Sequence, residues 1–173
     1  MKRLADLIDT ITSGIGRAVS WLSLLMVLIA AGNALLRYSG RFVGHDLSSN
    51  AALEAQWYLF SAMFLLASAW TLSRDRHVRV DVLYGRLSTR ARAGVDLAGT
   101  LLFLLPFCCF AVWVSFPGVA ESWRLREGSV DPGGLPRYPV KSLFLLGLYL
   151  LIAQGVAQAI RHGITLRGGE ADV

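Results

Sequence analysis

Four stretches of this sequence run for about 20 residues without a single charge, the length a helix needs to cross the hydrocarbon core of a bilayer. They are 18–36, 55–73, 97–116 and 142–160. Inside lipid every backbone amide must be paired within its own segment, so such stretches are expected to be helices. Composition points the same way. The chain has 173 residues, 54% hydrophobic and only 17% charged, against about 25% charged in a soluble domain. It is too poor in charge to cover a soluble surface of its own. The expectation is an all-α membrane protein: one domain over residues 1–173 with four transmembrane helices.

The charges lie between the spans and set an orientation. Lys2, Arg3, Arg17, Arg74, Arg76, Arg79, Arg86, Arg90, Arg92, Arg161 and Arg167 fall on one side; Arg37, Arg41, Arg124, Arg126, Arg137 and Lys141 fall on the other. Basic residues concentrate on the cytoplasmic side. Both termini and the central loop 74–96 are therefore expected in the cytoplasm, with loops 37–54 and 117–141 outside. The net charge of +5 is met by lipid headgroups and calls for no nucleic acid. A cleaved signal peptide is not expected. The pre-span region includes Asp6 and Asp9, the apolar run is long, and no Ala-x-Ala site follows it. Leu4, Leu7, Ile8, Ile11 and Ile15 recur near helical spacing and read as an amphipathic lead-in on the membrane surface.

Chemistry is sparse in the spans. His45, His77 and His162 sit at span ends or in loops, so no bis-histidine haem site is expected. Cys108 and Cys109 are adjacent; on a helix they point about 100° apart and read as apolar filler. No cofactor or metal is expected, nor an enzyme. Polar residues fall on stripes: Glu54, Ser61 and Ser68 in the second span; Gln154 and Gln158, with Gly147, in the fourth; Asn33, with Ala30 and Ala34, in the first. Such residues let helices approach and bond across. Glu54 and Asp96 lie at span ends, where a carboxylate more often pairs or caps than relays protons, and Arg90 and Arg92 are candidate partners for Asp96. Pro106 is expected to kink the third span. Glu121–Glu127 is expected to form a short helix and "DPGGLP" a turn. That outer loop reads either as an interfacial connector or as a docking surface.

The central stretch "LSRDRHVRVDVLYGRL" is dense in charge. Val78, Val80 and Val82 alternate with His77, Arg79 and Asp81, so an extended segment could turn one side to lipid or protein. Asp81 can cap a short interfacial helix through Leu87, and Ser88 can cap the helix entering the third span.

Three stretches together resemble a known family. "LEAQWYLFSAMFLLASAWTL", then "DRHVRVDVLYGRLSTRARAGVDLAG", then "ESWRLREGSVDPGGLPRYPVKS" are similar to the small, DctQ-like membrane subunit of tripartite ATP-independent periplasmic (TRAP) transporters, in particular the mannitol/chloroaromatic compound branch. The likeness runs from about Leu53 to Arg161, and His77 to Asp81 is its strongest motif. The resemblance implies a bacterial inner-membrane scaffold that transports nothing itself. Its partners would be a large sodium-coupled permease subunit, a periplasmic binding protein that delivers an organic acid or similar solute, and membrane lipid. It marks Glu54, Gln56, Trp57, His77, Arg79, Asp81, Asp96, Ser122, Trp123, Glu127, Lys141 and Gln154 as motif positions and as subunit or membrane-interface contacts. One departure stands at the start of the second span. Many relatives carry two consecutive acids there; here Ala52 and Leu53 precede a lone Glu54.

Overall fold

A computed structural model describes residues 2–74, 84 and 87–168. Its regular structure is helical: α1 Lys2–Val43, α2 Asn50–Ser73, α3 Thr89–Gly99, α4 Leu105–Arg124 and α5 Tyr138–Leu166. A π-helical turn, Thr100–Leu104, joins α3 to α4. Residues 75–83 and 85–86, which include His77, Arg79 and Asp81 and the helix expected to end at Leu87, lie outside the described residues.

Among the described residues three helices are long and apolar enough to cross a membrane: α1, the α3–α4 rod Thr89–Arg124, and α5. The fourth, α2, has 24 residues, about 36 Å at ~1.5 Å per residue. Gln56, Trp57, Tyr58, Ser61, Ser68 and Trp70 dilute its apolar character.

α1 departs most from expectation. It is one helix of 42 residues, about 63 Å long and twice the thickness of a hydrocarbon core. The segment expected as a separate surface helix forms its first turns and packs along α5. At its other end α1 continues past Leu36 through Arg37 and Arg41. A charge outside the bilayer does not oppose helix, so the end of an uncharged run need not end the element.

α3 begins where the sequence says it should: Ser88 is the N-cap, its hydroxyl accepting from the Ala91 amide at 3.3 Å. Pro106 breaks nothing. Just before it the backbone widens into the π turn, closed by the Leu105 amide donating to the Thr100 carbonyl. This is a common way for a helix to absorb local misfit. α4 then runs through Pro117 to Arg124, so Glu121 belongs to its last turn rather than to a separate short helix.

α5 is the central element. α1, α2, α3 and α4 all pack against it, and α1 also packs along α2. Its buried positions are Leu145, Gly147, Leu148, Gln154, Gly155 and Ala157. Small residues matter here because helices in lipid associate by close van der Waals contact. A Cβ at Gly147 would sit 2.9 Å from the backbone oxygen of Leu65, so α2 and α5 touch backbone to backbone. At Gly16 of α1 a Cβ would lie 2.4 Å from the Trp70 ring.

The ends of the bundle are distinct. Asp6 and Asp9 of α1, Leu72 of α2 and Arg161 of α5 share one end, here the terminal end. Residues 44–49 and 125–137 share the other, the connector end.

The packing generates a prediction. Gly147→Ala must push α2 from α5 and should cost about 1–3 kcal/mol, the usual range for overpacking. Gly14→Ala meets nothing within 4 Å and should be neutral or slightly stabilising. Thermal unfolding of the two variants in mild detergent checks this; equal melting temperatures would contradict the close α2–α5 contact.

Candidate functional site

Most of the described residues singled out by sequence fall into two clusters, toward opposite ends of the bundle. The connector-end cluster starts with a turn. α4 ends in a Schellman arrangement, the Arg126 amide donating to the Trp123 carbonyl at 3.2 Å and the Glu127 amide to the Ser122 carbonyl at 3.0 Å. The left-handed position usually held by glycine is Arg126, at φ 46°, a conformation that costs a non-glycine residue about 1–2 kcal/mol. It throws Glu127 back over the helix end. There the Glu127 carboxylate accepts from the Ser122 hydroxyl at 2.6 Å and from the Lys141 ammonium of α5. The Arg137 amide donates to the Glu127 carbonyl at 2.8 Å, closing the loop at its base. Trp123 donates its indole N–H to the Ser142 hydroxyl at 2.6 Å and packs on Tyr138, ring centroids 4.5 Å apart.

The loop's far side is held by α2. Glu54, 4% exposed, accepts from the Ser129 hydroxyl and the Leu135 amide. Asn50 donates to the Pro132 carbonyl at 3.0 Å and Tyr58 to the Pro136 carbonyl at 3.0 Å. Between these contacts Asp131 to Gly134 make the expected turn. The Gly134 amide reaches the Asp131 carbonyl at 3.0 Å, with Gly133 at φ 73°, as a Pro–Gly type II turn requires. Gly134 is needed for a second reason: a Cβ there would meet Ser129 at 2.5 Å and the Glu54 carboxylate at 2.7 Å.

Five of the marked residues, Glu54, Ser122, Trp123, Glu127 and Lys141, thus form a clamp that fixes loop 125–137 over the starts of α2 and α5. Gln56 bonds back to the Ala52 carbonyl at 3.1 Å, and Trp57 packs edge-on against Tyr58 at 4.3 Å. Ser61 and Ser68 also bond locally, to Trp57 and Leu65 carbonyls at 2.7 and 2.6 Å. The expected cross-helix stripe on α2 therefore reduces to Glu54, which grips a loop.

Ser129, Asn50 and Tyr58 were not singled out. Small hydroxyl and amide side chains carry no sequence signal until their distant acceptor is known.

The terminal-end cluster centres on Gln154, 0% exposed. Its amide oxygen accepts from the Thr12 hydroxyl at 3.0 Å and its N–H donates to Asp9 at 2.7 Å. Arg161 pairs with Asp9 and, at 3.3 Å, with Asp6. Gln158 donates to the Leu72 carbonyl at 2.6 Å. Asp96 accepts from the Tyr84 hydroxyl. Of its two expected arginine partners, Arg90 donates instead to the Leu166 carbonyl at 2.9 Å. Arg92 reaches the Leu87 carbonyl at 3.0 Å and lies over the Tyr84 ring, 5.4 Å from its centroid. Asn33 accepts from the Ser49 amide at 3.0 Å, while Ala34 beside it is exposed. Asp6, Asp9 and Thr12 recur every three residues, a signal that a partner helix could have been sought there. Cys108 is buried and Cys109 exposed, both free thiols. No group of His, Cys, Asp and Glu able to hold a metal occurs among the described residues.

Electrostatics follow from these bonds. The Lys141 ammonium, then the Ser122 hydroxyl, hold the Glu127 carboxyl below the usual glutamate range. The Ser129 hydroxyl and the Leu135 amide do the same for Glu54. The Arg137 charge adds to both. A carboxyl held low stabilises the fold fully above its unfolded value, about 4.3. That contribution is lost as pH falls through the lower folded value. Amide exchange at Leu135 and Arg137 should thus be slow above about pH 5, once corrected for intrinsic rates, and should speed up below about pH 4. Glu54→Ala should speed it at neutral pH; unchanged Leu135 protection in that variant would contradict the clamp.

A family model, the DctQ component of tripartite ATP-independent periplasmic transporters, matches residues 26–163. No curated protein and no solved structure matches the chain. The matched range takes in α2, α3 and α4 entire, most of α5 and the connector-end part of α1 from residue 26, and with them the whole loop clamp and Gln154. It is a family of transporter components and not of enzymes. A match over this much of an apolar helical bundle decides its assignment: the chain belongs to the DctQ family and is a small membrane component of a TRAP transporter.

Proposed function

We propose that this chain is the stationary scaffold of its transporter, holding a large sodium-coupled permease subunit while a periplasmic binding protein delivers the solute. In this reading all four long helices span the inner membrane, with α2 packed against α1 and α5 and its Phe60 and Phe64 turned outward. Both termini and residues 74–96 face the cytoplasm, and the connector end faces the periplasm. The solute class is an organic acid or similar compound, in keeping with the mannitol/chloroaromatic branch that the sequence resembles.

The observation that carries the reading is where the polar side chains go. Gln154 and Gln158 are spent on neighbouring helices, Asn33 on the backbone before α2, Glu54 on a loop, and Glu127 on Ser122 and Lys141 of the flanking helices. A transport pathway needs polar groups left available to a solute. These instead fix the shape of the bundle. The exposed apolar faces of α1 and α4, with Trp21, Leu28, Phe107 and Trp113, then meet lipid and the large subunit. His77, Arg79 and Asp81, outside the described residues, are taken as the cytoplasmic anchor and a further subunit contact.

Purification from the native host in mild detergent should bring down a larger multi-span permease in a fixed ratio. Arg79→Ala or Asp81→Ala should lower that recovery before solute selectivity changes. A chain that runs alone under conditions that preserve other membrane complexes would sink the scaffold reading.

A further inference from the structure

The four uncharged runs are similar in length, yet they do not lie side by side. Contacts between helices fix how far each has slid past the next. Gly147 of α5 meets Leu65 of α2. Gly155 of α5 meets Leu104 and Leu105 at the start of α4. Gln154 of α5 holds Thr12 of α1. Along α1, Gly16 meets Trp70 and Asn33 holds the Ser49 amide before α2. The centres of 97–116 and 142–160 thus stand within about 3 Å of one level, at ~1.5 Å rise per residue. On the same rise the centre of 55–73 lies about 7 Å nearer the connector end, and that of 18–36 about 18 Å nearer. The route to α1 through α5 and the route through α2 give the same displacement.

No flat layer set square to the helices covers all four runs. Seated on α4 and α5, it buries the exposed Arg17, which stands level with Tyr149 and about 18 Å short of Arg161. That is farther than an arginine can snorkel. Seated on α1, the layer draws Glu54, Glu127 and Lys141 into hydrocarbon, where each charge is costly. Aromatic residues mark each displaced run as a span in its own right. Trp21, 71% exposed, and Tyr38, 59% exposed, bracket 18–36. Trp57 and Trp70 bracket 55–73. Tryptophan and tyrosine gather at membrane–water interfaces. Yet Trp21 lies level with the middle of α2, one turn beyond the Gly16–Trp70 contact.

An inclined layer removes the conflict, because the displacement grows in order across the bundle. α5 packs between α4 and the pair α1 and α2. With neighbouring axes about 8–10 Å apart, a shift of about 21 Å over two such steps corresponds to a slope of about 45–50°. Snorkelling of Arg17 toward the headgroups lowers this to about 40°, the steep end of the range for transmembrane helices. The same slope accounts for Asp6 and Asp9. They lie two to three turns before Arg17 on α1, outside the inclined layer, where they keep their charge and pair with Arg161.

We propose that the bundle sits aslant in the bilayer, its helices inclined about 40° from the normal, and that it thins the lipid around it. The cytoplasmic boundary then runs from Arg17 through Arg74 and Arg161 to Asp96, and the opposite boundary from Arg37 through Glu54 and Lys141 to Glu121. Runs about 28 Å long cover only about 22 Å of depth at this slope, against about 30 Å in an undisturbed hydrocarbon core. The partner of this oblique apolar belt is lipid, which pays a mismatch cost to meet it. The inference rests on the reading above that all four long helices span the membrane.

The test uses the complete two-subunit complex in lipid nanodiscs, with Cys108→Ala and Cys109→Ala in this chain. Nitroxide labels placed singly at the exposed positions Trp21, Leu28, Leu35 and Phe107 report depth by power-saturation EPR. Leu28 and Phe107 lie about 22 Å apart along the helix direction. Aslant, Leu28 should be the deepest of the three α1 positions and should match Phe107 to within about 8 Å. A larger difference, or Trp21 or Leu35 deeper than Leu28, overturns the proposal. Oriented-sample NMR with only this chain labelled should give α5 an inclination near 40°; a value below about 25° overturns the proposal even if the depths agree, because the membrane would then be stepped rather than crossed aslant. These outcomes leave the scaffold reading intact, whereas failure to recover the large subunit with the parent chain refutes that reading itself.

Discussion

The close approach of four helices to α5 sets the terms for everything else in this bundle. In lipid there is no hydrophobic gain when one apolar helix leaves hydrocarbon for another, so association depends on packing and on the few hydrogen bonds available. α5 meets that constraint with Gly147, Gly155 and Ala157 on its buried face, and α2 comes within van der Waals contact of its backbone. Gln154 is the single large polar side chain buried there. An amide in that position is costly unless paired. Thr12 and Asp9 pair it, and so tie the first turns of α1 to the middle of α5.

The two ends are secured by different physics, each suited to its surroundings. At the terminal end side chains bond from helix to helix: Arg161 to Asp6 and Asp9, Gln158 to Leu72, Arg90 to Leu166. At the connector end a loop is the object held. Glu54 grips it from α2, and Glu127 grips α5 through Lys141. The Glu54 carboxylate is buried and the Glu127 side chain half-buried. Glu54, Glu127, Gln154 and Gln158 all bond within the chain, which fixes how the helices and the loop sit against one another.

Much of this was legible in the residues. The uncharged run 55–73 ends at the residue where α2 ends, and the Ser88 cap and the Asp–Pro–Gly–Gly turn formed as their local chemistry required. Local signals suffice where the deciding contacts are local. They failed at the end of the first uncharged run: Arg37 and Arg41 look like a loop, yet helix persists to Val43, because charge is no bar to helical backbone. They also failed where a partner is distant. Nothing near Glu54 names Ser129 or Leu135, and nothing near Asp96 names Tyr84 over Arg90.

The sequence alone determined the class of the molecule, an apolar helical bundle of the DctQ family, because the length of an uncharged run and the identity of a motif are properties of the chain itself. Only the tertiary structure decided how the helices slide against one another. That register fixes which carboxylate meets which donor and carries the end of α1 past the start of α2. It arises from contacts between residues as far apart as Thr12 and Gln154, and no local pattern encodes the offset between two helices that are each apolar along their length.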